Sequence, residues 1–393
     1  MRSQVRRLLA RVSEVDIAKS VCRQREVQLR ALRRVNGSPG SVSEFNGHVK
    51  AAWRGAIVQQ GRRALGRVSP AERSKSQLVN SVGILTKDIE VCRCRETLGD
   101  RHPATLVAIN NYASLLMAAG EQAAACALYL EVHAVRREML GEDHPATLSS
   151  QNNLGVSRFA SGDLAQAATL LHGAVDKRRA ALGAEHPSTL RTMYNLGSAL
   201  KARSQGDDLK VAEGLLREVL DARRAALGRA HPDCLKAYNA LGSLLYQRRE
   251  TEAAISIYRE AFTTGLTALG DRHPIVLTSM NNLGNALHTR GLQQMETFGA
   301  PADSPGKVEL DEAAQLLRDA LERSRDVLGA QHMDTLISSS NLGVLLRNRG
   351  DRLDEAKDLI RVAVEGVAEA RTVLGDTHPH VSHMQEGLTE LEA

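Results

Sequence analysis

Seven histidines recur along the 393-residue chain, and a recurring histidine is a candidate metal ligand or general acid–base group. Six of them stand in the phrase Leu-Gly-x-x-His-Pro, and in the remaining copy Met333 replaces the proline. Consecutive histidines are 42, 42, 45, 42, 59 and 46 residues apart, a period that is typical of stacked supersecondary units. The seven are His102, His144, His186, His231, His273, His332 and His378.

The repeat spacing argues against a shared metal site. Each histidine begins its own unit, and packed helices of neighbouring units lie about 10 Å apart, whereas a zinc ion needs each imidazole nitrogen about 2 Å away. Cys92 and Cys94 have the wrong spacing for a zinc knuckle or a redox pair and have no matching pair elsewhere. Phosphate-loop and nucleophile-elbow motifs do not occur. The sequence therefore predicts no catalytic residue, no metal site and no cofactor, and we expect the chain not to be an enzyme.

The repeated phrase predicts where helices end and begin. Glycine tolerates the left-handed conformation that closes a helix, and proline at the first helical position loses only an N–H that would lack a partner. Leu-Gly therefore ends one helix and His-Pro starts the next. After a second landmark, such as Asn153-Leu154-Gly155, a polar or glycine-containing break separates two apolar helices. Each unit is predicted to be a helical hairpin, with alanines seven residues apart in its second helix, for example Ala167 and Ala174.

These landmarks resemble the tetratricopeptide repeat. In that family Leu-Gly lies in the first helix, and a large residue lies between two alanines of the second helix. The 42-residue period and the phrase Leu-Gly-x-x-His-Pro are similar to the repeats of kinesin light chains. The resemblance covers residues 98 to about 378 and implies an all-α fold, a right-handed superhelical solenoid of tetratricopeptide-like helical hairpins. The large in-between residues are Tyr129, Leu171, Leu216, Tyr258, Leu317 and Ile360.

Charge divides the chain into two parts. Residues 1–80 carry 17 Lys and Arg against 5 Asp and Glu, whereas residues 81–393 carry 34 against 41. We predict a basic, partly disordered N-terminal arm over 1–70, a capping helix over 71–97, six repeats over 98–377 and a C-terminal capping helix over 378–393. Three interpretations of the arm stay open: attachment to nucleic acid or an anionic membrane, a mitochondrial transit peptide, or a tail with no dedicated partner.

One insertion interrupts the fifth hairpin at residues 291–308. Its two prolines and three glycines predict a loop on the edge of the array. Two interpretations remain open here as well: a tolerated insertion of small entropic cost, or a loop that contacts a partner through Met295 or Phe298.

Composition limits the class of protein. Contents of 3% aromatic and 42% hydrophobic residues suit an array whose core is a thin ribbon between neighbouring hairpins. The sequence has no run of about 18 apolar residues, so a transmembrane segment is not expected, and no secretory signal is predicted. Five cysteines without the spacing of a disulfide framework fit reduced thiols and predict a cytoplasmic protein.

The resemblance also implies a binding surface. First helices line the concave groove of such arrays, and the two residues before Leu-Gly face that groove. They form a ladder of asparagines, whose amides can pair with the backbone of an extended peptide. The alternative is that some of these asparagines bond only to neighbouring helices. The ladder consists of Asn110, Asn111, Asn152, Asn153, Asn195, Asn239, Asn281, Asn282 and Asn341, and Tyr194 occupies an equivalent position.

Other groove positions vary between repeats and include four cations. The resemblance therefore implies an acidic, extended peptide ligand, similar to the cargo peptides of kinesin light chains, while ordinary solvated charge is the alternative. We predict a protein-interaction scaffold or adaptor, with a nucleic-acid or anionic-membrane adaptor acting through the arm as the second hypothesis. The variable groove residues are Arg191, Lys201, Lys236, Tyr246, His288 and Arg347.

Overall fold

The structure, a computed structural model, describes residues 87–88, 90–298, 304–350 and 352–374. All regular secondary structure in this part of the chain is α-helical, as predicted. The chain divides into two compact units, Met1–Met139 and Leu140–Ala393. The predicted arm at 1–70 and the predicted C-terminal capping helix at 378–393 fall outside the described residues.

The first unit contains helix α1 over residues 90–98, α2 over Pro103–Ala118 and α3 over Gln122–Leu140, which ends one residue past the boundary. Helices α2 and α3 form a hairpin in which the hydroxyls of Ser114 and Tyr129 share a hydrogen bond of 2.8 Å. Arg95 on α1 donates two hydrogen bonds, of 2.7 and 2.9 Å, to the carboxylate of Glu131 on α3. Helix α1 therefore packs beside the second helix of this hairpin.

The second unit contains five consecutive hairpins in its described residues. Each helix packs against the next one in sequence, and the first helix of each hairpin also packs against the first helix of the following hairpin. This arrangement is that of a helical solenoid, as predicted. The hairpins are α4 (Pro145–Ala160) with α5 (Leu164–Leu182), α6 (Pro187–Arg203) with α7 (Asp208–Leu227), α8 (Pro232–Gln247) with α9 (Thr251–Leu269), α10 (Pro274–Phe298) with α11 (Pro305–Leu328), and α12 (Met333–Arg349) with α13 (Leu353–Leu374).

The repeated histidines begin the first helices. Nδ1 of His144 accepts a hydrogen bond of 3.1 Å from the N–H of Ala146, and the preceding Gly141 has a φ of +85°. A side-chain acceptor at this position satisfies an N–H that the helix leaves unpaired. The histidines therefore have the helix-starting role that the sequence predicts. Equivalent bonds of 3.1–3.2 Å are made by His102, His186, His231, His273 and His332.

Glycine at the Leu-Gly landmark allows the two helices of a hairpin to approach closely. A Cβ atom on Gly242 would lie 2.6 Å from the ring of Tyr258, and one on Gly155 would lie 2.7 Å from Leu171. The landmark glycine and the large in-between residue are thus contact partners. The same relationship joins Gly197 with Leu216, Gly284 with Leu317 and Gly343 with Ile360.

Core and surface contacts connect successive hairpins. Buried apolar residues between Ala167 and Leu359 form one continuous cluster, which is the thin ribbon expected from the composition. On the outer side, ion pairs join second helices that are one hairpin apart. These pairs are Arg179–Glu218 at 2.5 Å, Arg259–Glu312 at 2.9 Å and Arg318–Glu355 at 3.4 Å.

The structure corrects the loop predicted at residues 291–308. Residues 291–298 complete α10, and residues 305–308 already belong to α11. Ser304 is the N-cap of α11, and Pro305 occupies the first helical position, where proline is tolerated.

The prediction was wrong for these helical residues because their glycines serve close packing. A Cβ atom on Gly291 would lie 2.9 Å from the carbonyl oxygen of Gly306, and one on Gly306 would lie 2.7 Å from that of Gly291. Two backbones can approach this closely only when neither residue has a side chain. The insertion therefore lengthens both helices of the hairpin.

Candidate functional site

The predicted groove of the second unit lies on its first helices, α4, α6, α8, α10 and α12. We call the polar side chains of these helices between Asn152 and Arg347 the groove face. Asn110 and Asn111 belong to α2 in the first unit, where the former is half-buried and the latter exposed.

Asparagines of the groove face bond to one another across hairpins. Asn195 donates a hydrogen bond of 3.0 Å to Oδ1 of Asn152, and Asn341 donates one of 3.3 Å to Oδ1 of Asn281. Asn239 donates a bond of 2.7 Å to the hydroxyl of Ser279. Each of these bonds joins the first helices of two consecutive hairpins. For these asparagines, the structure shows the alternative considered from the sequence, in which the amides connect neighbouring helices.

Members of the ladder differ in how far they reach the surface. Asn152, Asn239 and Asn281 are buried, whereas Asn153 and Asn282 are half-buried and reach the surface. An amide offers two donors and an acceptor with two lone pairs, so one bond does not saturate it. Oδ1 of Asn239 is buried and has no hydrogen-bond partner among the described residues.

A second row of contacts lies near the C-terminal ends of the same helices, fifteen residues after each repeated histidine. The ammonium of Lys201 donates a hydrogen bond of 2.8 Å to Ser243. In the next repeats, the hydroxyls of Tyr246 and Thr289 lie 2.7 Å apart, and His288 lies 3.3 Å from the amide of Asn348. Each contact again joins consecutive hairpins. Lys201, Tyr246 and His288 therefore connect consecutive repeats.

Burial changes the ionisation of two members of this row. It lowers the pKa of Lys201, whose ammonium contacts only the neutral Ser243 hydroxyl among the described residues. Burial also lowers the pKa of His288 to about 4, so this imidazole is neutral at pH 7. The row therefore contains one desolvated cation without a carboxylate partner.

The other variable residues differ in their surroundings. Arg191 is exposed and forms no hydrogen bond or ion pair with any described residue. Lys236 is exposed and lies 3.1 Å from the carboxylate of Asp233. The ring of Tyr194 lies 5.3 Å below the guanidinium of Arg223. Arg347 is half-buried near the C-terminal end of α12.

Sequence reasoning missed two arginines of the second helices that reach the groove face. Arg178 on α5 is 2% exposed and Arg223 on α7 is 9% exposed. Each stands eight residues before a repeated histidine, as does Arg136 in the first unit. That recurrence is the signal in the sequence by which they could have been found.

Two classes of site find no support in the described residues. No cluster of three or more His, Cys, Asp or Glu residues there could hold a metal ion. Among the described helices, none combines the length and the apolar character that crossing a bilayer requires.

Comparison with known proteins agrees with this architecture. Two family models, both described as tetratricopeptide repeat, match the chain, one at residues 104–172 and 148–208 and the other at 189–233, 234–275 and 309–334. No curated protein matches it.

Several solved structures are similar. A putative kinesin light chain from Podosopora anserina with nearly identical TPR-like repeats shares 24% identity over 57% of this chain and 97% of its own, with a TM-score of 0.46. BtubC (BKLC) from P. vanneervenii shares 17% identity over 64% and 92%, with a TM-score of 0.49. The Rap conjugation gene regulator of the plasmid pLS20, solved with the Phr* peptide, shares 13% identity over 90% and 93%, with a TM-score of 0.50.

The family matches lie within the stacked hairpins and carry landmarks on which the resemblance is based. The chain belongs to the tetratricopeptide repeat family.

Proposed function

We propose that the chain is a non-catalytic scaffold or adaptor that binds an extended, acidic peptide of a partner protein along the groove face. Arrays of stacked hairpins act through such extended surfaces. The first helices repeat their polar positions at intervals of about 10 Å, which suits a ligand that is itself extended. The Rap regulator of similar fold was solved in complex with the Phr* peptide, which supports peptide binding as a function for this fold. A cytoplasmic location stays a prediction.

The environment of Lys201 carries the proposal. Its ammonium has three donors, and among the described residues it bonds only to the hydroxyl of Ser243. Burial lowers its pKa, and no described carboxylate pairs with the charged form. A carboxylate of a bound peptide would provide that compensation. The groove-face amides of Asn153 and Asn282 would pair with the peptide backbone.

A peptide-display selection tests this function. The full chain would be immobilised and presented with a displayed library of random 12-residue peptides, and the Kd of enriched peptides would be measured by fluorescence anisotropy. We expect enrichment of acidic sequences, and at least a tenfold loss of affinity in Lys201→Ala. Lys210→Ala is the matched control, because Lys210 is exposed on the second helix α7. Enrichment no greater than on an empty support would overturn the proposal.

A second candidate function follows from the charge of the first 80 residues, which hold 17 cations against 5 acids. Such an arm would attach the scaffold to nucleic acid or to an anionic membrane. Binding of this kind weakens steeply as salt increases. Deletion of residues 1–60 should abolish binding to duplex DNA or to phosphatidylserine vesicles, and retention of full binding would exclude this candidate.

A further inference from the structure

Two buried arginines extend from second helices to the beginning of the next first helix. Nη1 of Arg178 donates a bond of 2.7 Å to the carbonyl oxygen of Ser188, and Nη1 of Arg223 donates one of 2.8 Å to that of Asp233. Ser188 and Asp233 each stand two residues after a repeated histidine. The two guanidinium groups therefore occupy equivalent places in consecutive repeats, at the N-terminal end of the groove face.

The other partners of Arg178 are neutral. Its guanidinium donates a bond of 2.7 Å to the hydroxyl of Thr192 and one of 3.0 Å to the hydroxyl of Ser149. Ser149 occupies the same repeat position as Arg191 one hairpin later, five residues after the histidine. The buried guanidinium therefore lies in the row of groove positions to which Arg191 belongs.

Electrostatics connects Arg178 with Arg191. Burial lowers the pKa of Arg178, and the nearby charge of Arg191 lowers it further. Arg191 stands between Ser188 and Thr192, the two residues of α6 that Arg178 contacts. One buried and one exposed cation therefore lie close together, and neither forms an ion pair with a described carboxylate. A buried charge without a counter-charge is unfavourable. An anion bound at Arg191 would relieve both the burial cost and the mutual repulsion.

The outer side of the same helix provides a contrast. Arg179, the next residue after Arg178, points outward and pairs with Glu218 at 2.5 Å. Other second-helix arginines, Arg259 and Arg318, are likewise paired with acids. Arg178 and Arg191 differ from these arginines, because neither forms an ion pair with a described carboxylate.

We propose that Arg191, supported from beneath by Arg178, forms a subsite that binds an oxyanion carried by a peptide side chain, either a carboxylate or a phosphate. Arg191 is exposed and makes the contact. Arg178 is buried and acts as a positioning residue. Its hydrogen bonds hold its positive charge in a fixed place next to the subsite. Tyr194, three residues after Arg191 on α6, has its ring 5.3 Å from the guanidinium of Arg223. The peptide part of this inference rests on the proposed function, whereas the anion site can be tested without a peptide.

The first experiment uses inorganic phosphate as the probe. Phosphate would replace chloride at constant ionic strength, and the Tm of the full chain would be compared with that of Arg191→Gln and Arg178→Met. We expect a clear rise of Tm in the wild-type protein that is lost in both variants, because a ligand that binds only the folded state stabilises it. Arg361→Gln is the matched control, because Arg361 is 67% exposed on α13 and pairs with Asp358. An equal rise in all four proteins would overturn the subsite. Arg191→Gln decides the outcome if Arg178→Met does not fold.

The second experiment separates carboxylate from phosphate. Acidic 12-residue peptides enriched on the wild-type chain would be synthesised with each acidic residue replaced in turn by Gln or by phosphoserine. We expect one position at which Gln weakens binding about tenfold in the wild type and leaves it nearly unchanged in Arg191→Gln. Tighter binding of phosphoserine there would assign the subsite to phosphate, and weaker binding would assign it to carboxylate. Peptides that bind with the same acidic preference in Arg191→Gln would contradict the subsite while leaving the proposed function intact. A rise of Tm in phosphate that is lost in Arg191→Gln, without any enriched peptide, would contradict the proposed function while leaving the subsite intact.

Discussion

Asn195 on α6 donates a hydrogen bond of 3.0 Å to the side-chain oxygen of Asn152 on α4, and this bond joins two consecutive hairpins. Asn152 is 3% exposed, so its oxygen cannot exchange this donor freely for water. The asparagine ladder is therefore part of what holds neighbouring repeats together, whatever it binds.

The first prediction concerns this bond. Asn195→Ala should lower the free energy of unfolding by about 1–3 kcal/mol, because a buried acceptor loses its partner. Urea unfolding followed by circular dichroism measures the change. Asn285→Ala is the control, because Asn285 is half-buried on the neighbouring α10 and its side chain makes no hydrogen bond with a described residue. An equal effect of the two substitutions on the free energy of unfolding would show that the Asn195–Asn152 bond does not stabilise the packing of neighbouring repeats.

The second prediction concerns the close contact within a hairpin. Gly242→Ala would place Cβ 2.6 Å from the ring of Tyr258, a buried side chain that has little room to move. We expect a loss of about 1–3 kcal/mol from overpacking. Gly214→Ala should have the opposite sign, a gain of about 0.5–1 kcal/mol, because that helical glycine has no heavy atom within 4 Å of the new Cβ. Two changes of the same sign would contradict this reading of the landmark glycine.

The hairpins and their contacts could be predicted because local chemistry determines them. Leu-Gly ends a helix and His-Pro starts the next one whatever surrounds them, and a seven-residue spacing of alanines leaves room for the neighbouring helix. The pairing of Gly155 with Leu171 follows from that spacing. The hydrogen-bond partners of the asparagines could not be predicted. Spacing in the sequence indicates on which face of its helix Asn152 lies, but it does not indicate that Asn195 of the next hairpin comes within hydrogen-bond distance. Arg178 was missed for a related reason, since a long side chain can reach a surface that its own Cα does not face.

The third prediction is a pH dependence from His288. Burial lowers the pKa of this imidazole to about 4, below the ordinary value of about 6.5 that the unfolded chain has. As pH falls, the imidazole of the unfolded chain becomes protonated near pH 6.5, whereas that of the folded chain stays neutral until about pH 4. The free energy of unfolding therefore decreases between pH 6.5 and pH 4, by up to about 3 kcal/mol. Above pH 6.5 the contribution is fully present.

Urea unfolding at half-unit steps between pH 4 and pH 7.5 measures this dependence. His288→Gln should flatten the part of the profile between pH 4 and pH 6.5. His172→Gln is the control, because His172 has a side chain that is 63% exposed, and its profile should follow the wild type. Parallel profiles for the wild type and His288→Gln would show that this imidazole does not contribute to acid sensitivity.

The last prediction tests whether residues 291–298 and 305–308 belong to packed helices. In a loop, alanine at position 306 would be tolerated, but in the structure its Cβ would lie 2.7 Å from the carbonyl oxygen of Gly291 and 3.0 Å from the side chain of Met295. Backbone atoms cannot move aside as a flexible side chain can. Gly306→Ala should therefore lower the free energy of unfolding by about 1–3 kcal/mol, whereas Val308→Ala, at a residue that is 61% exposed, should change it by less than about 0.5 kcal/mol.

A double-mutant cycle makes this test specific to the helix–helix contact. Gly291→Ala should be destabilising for the same reason, because its Cβ would lie 2.9 Å from the carbonyl oxygen of Gly306. Once the first alanine has moved the two helices apart, the Cβ atom of the second alanine clashes less with the opposite backbone. The double variant should therefore lose at least about 0.5 kcal/mol less than the sum of the single losses, as expected for residues in contact. Full additivity would mean that the two positions do not touch, and that the lengthened helices of α10 and α11 do not pack against each other.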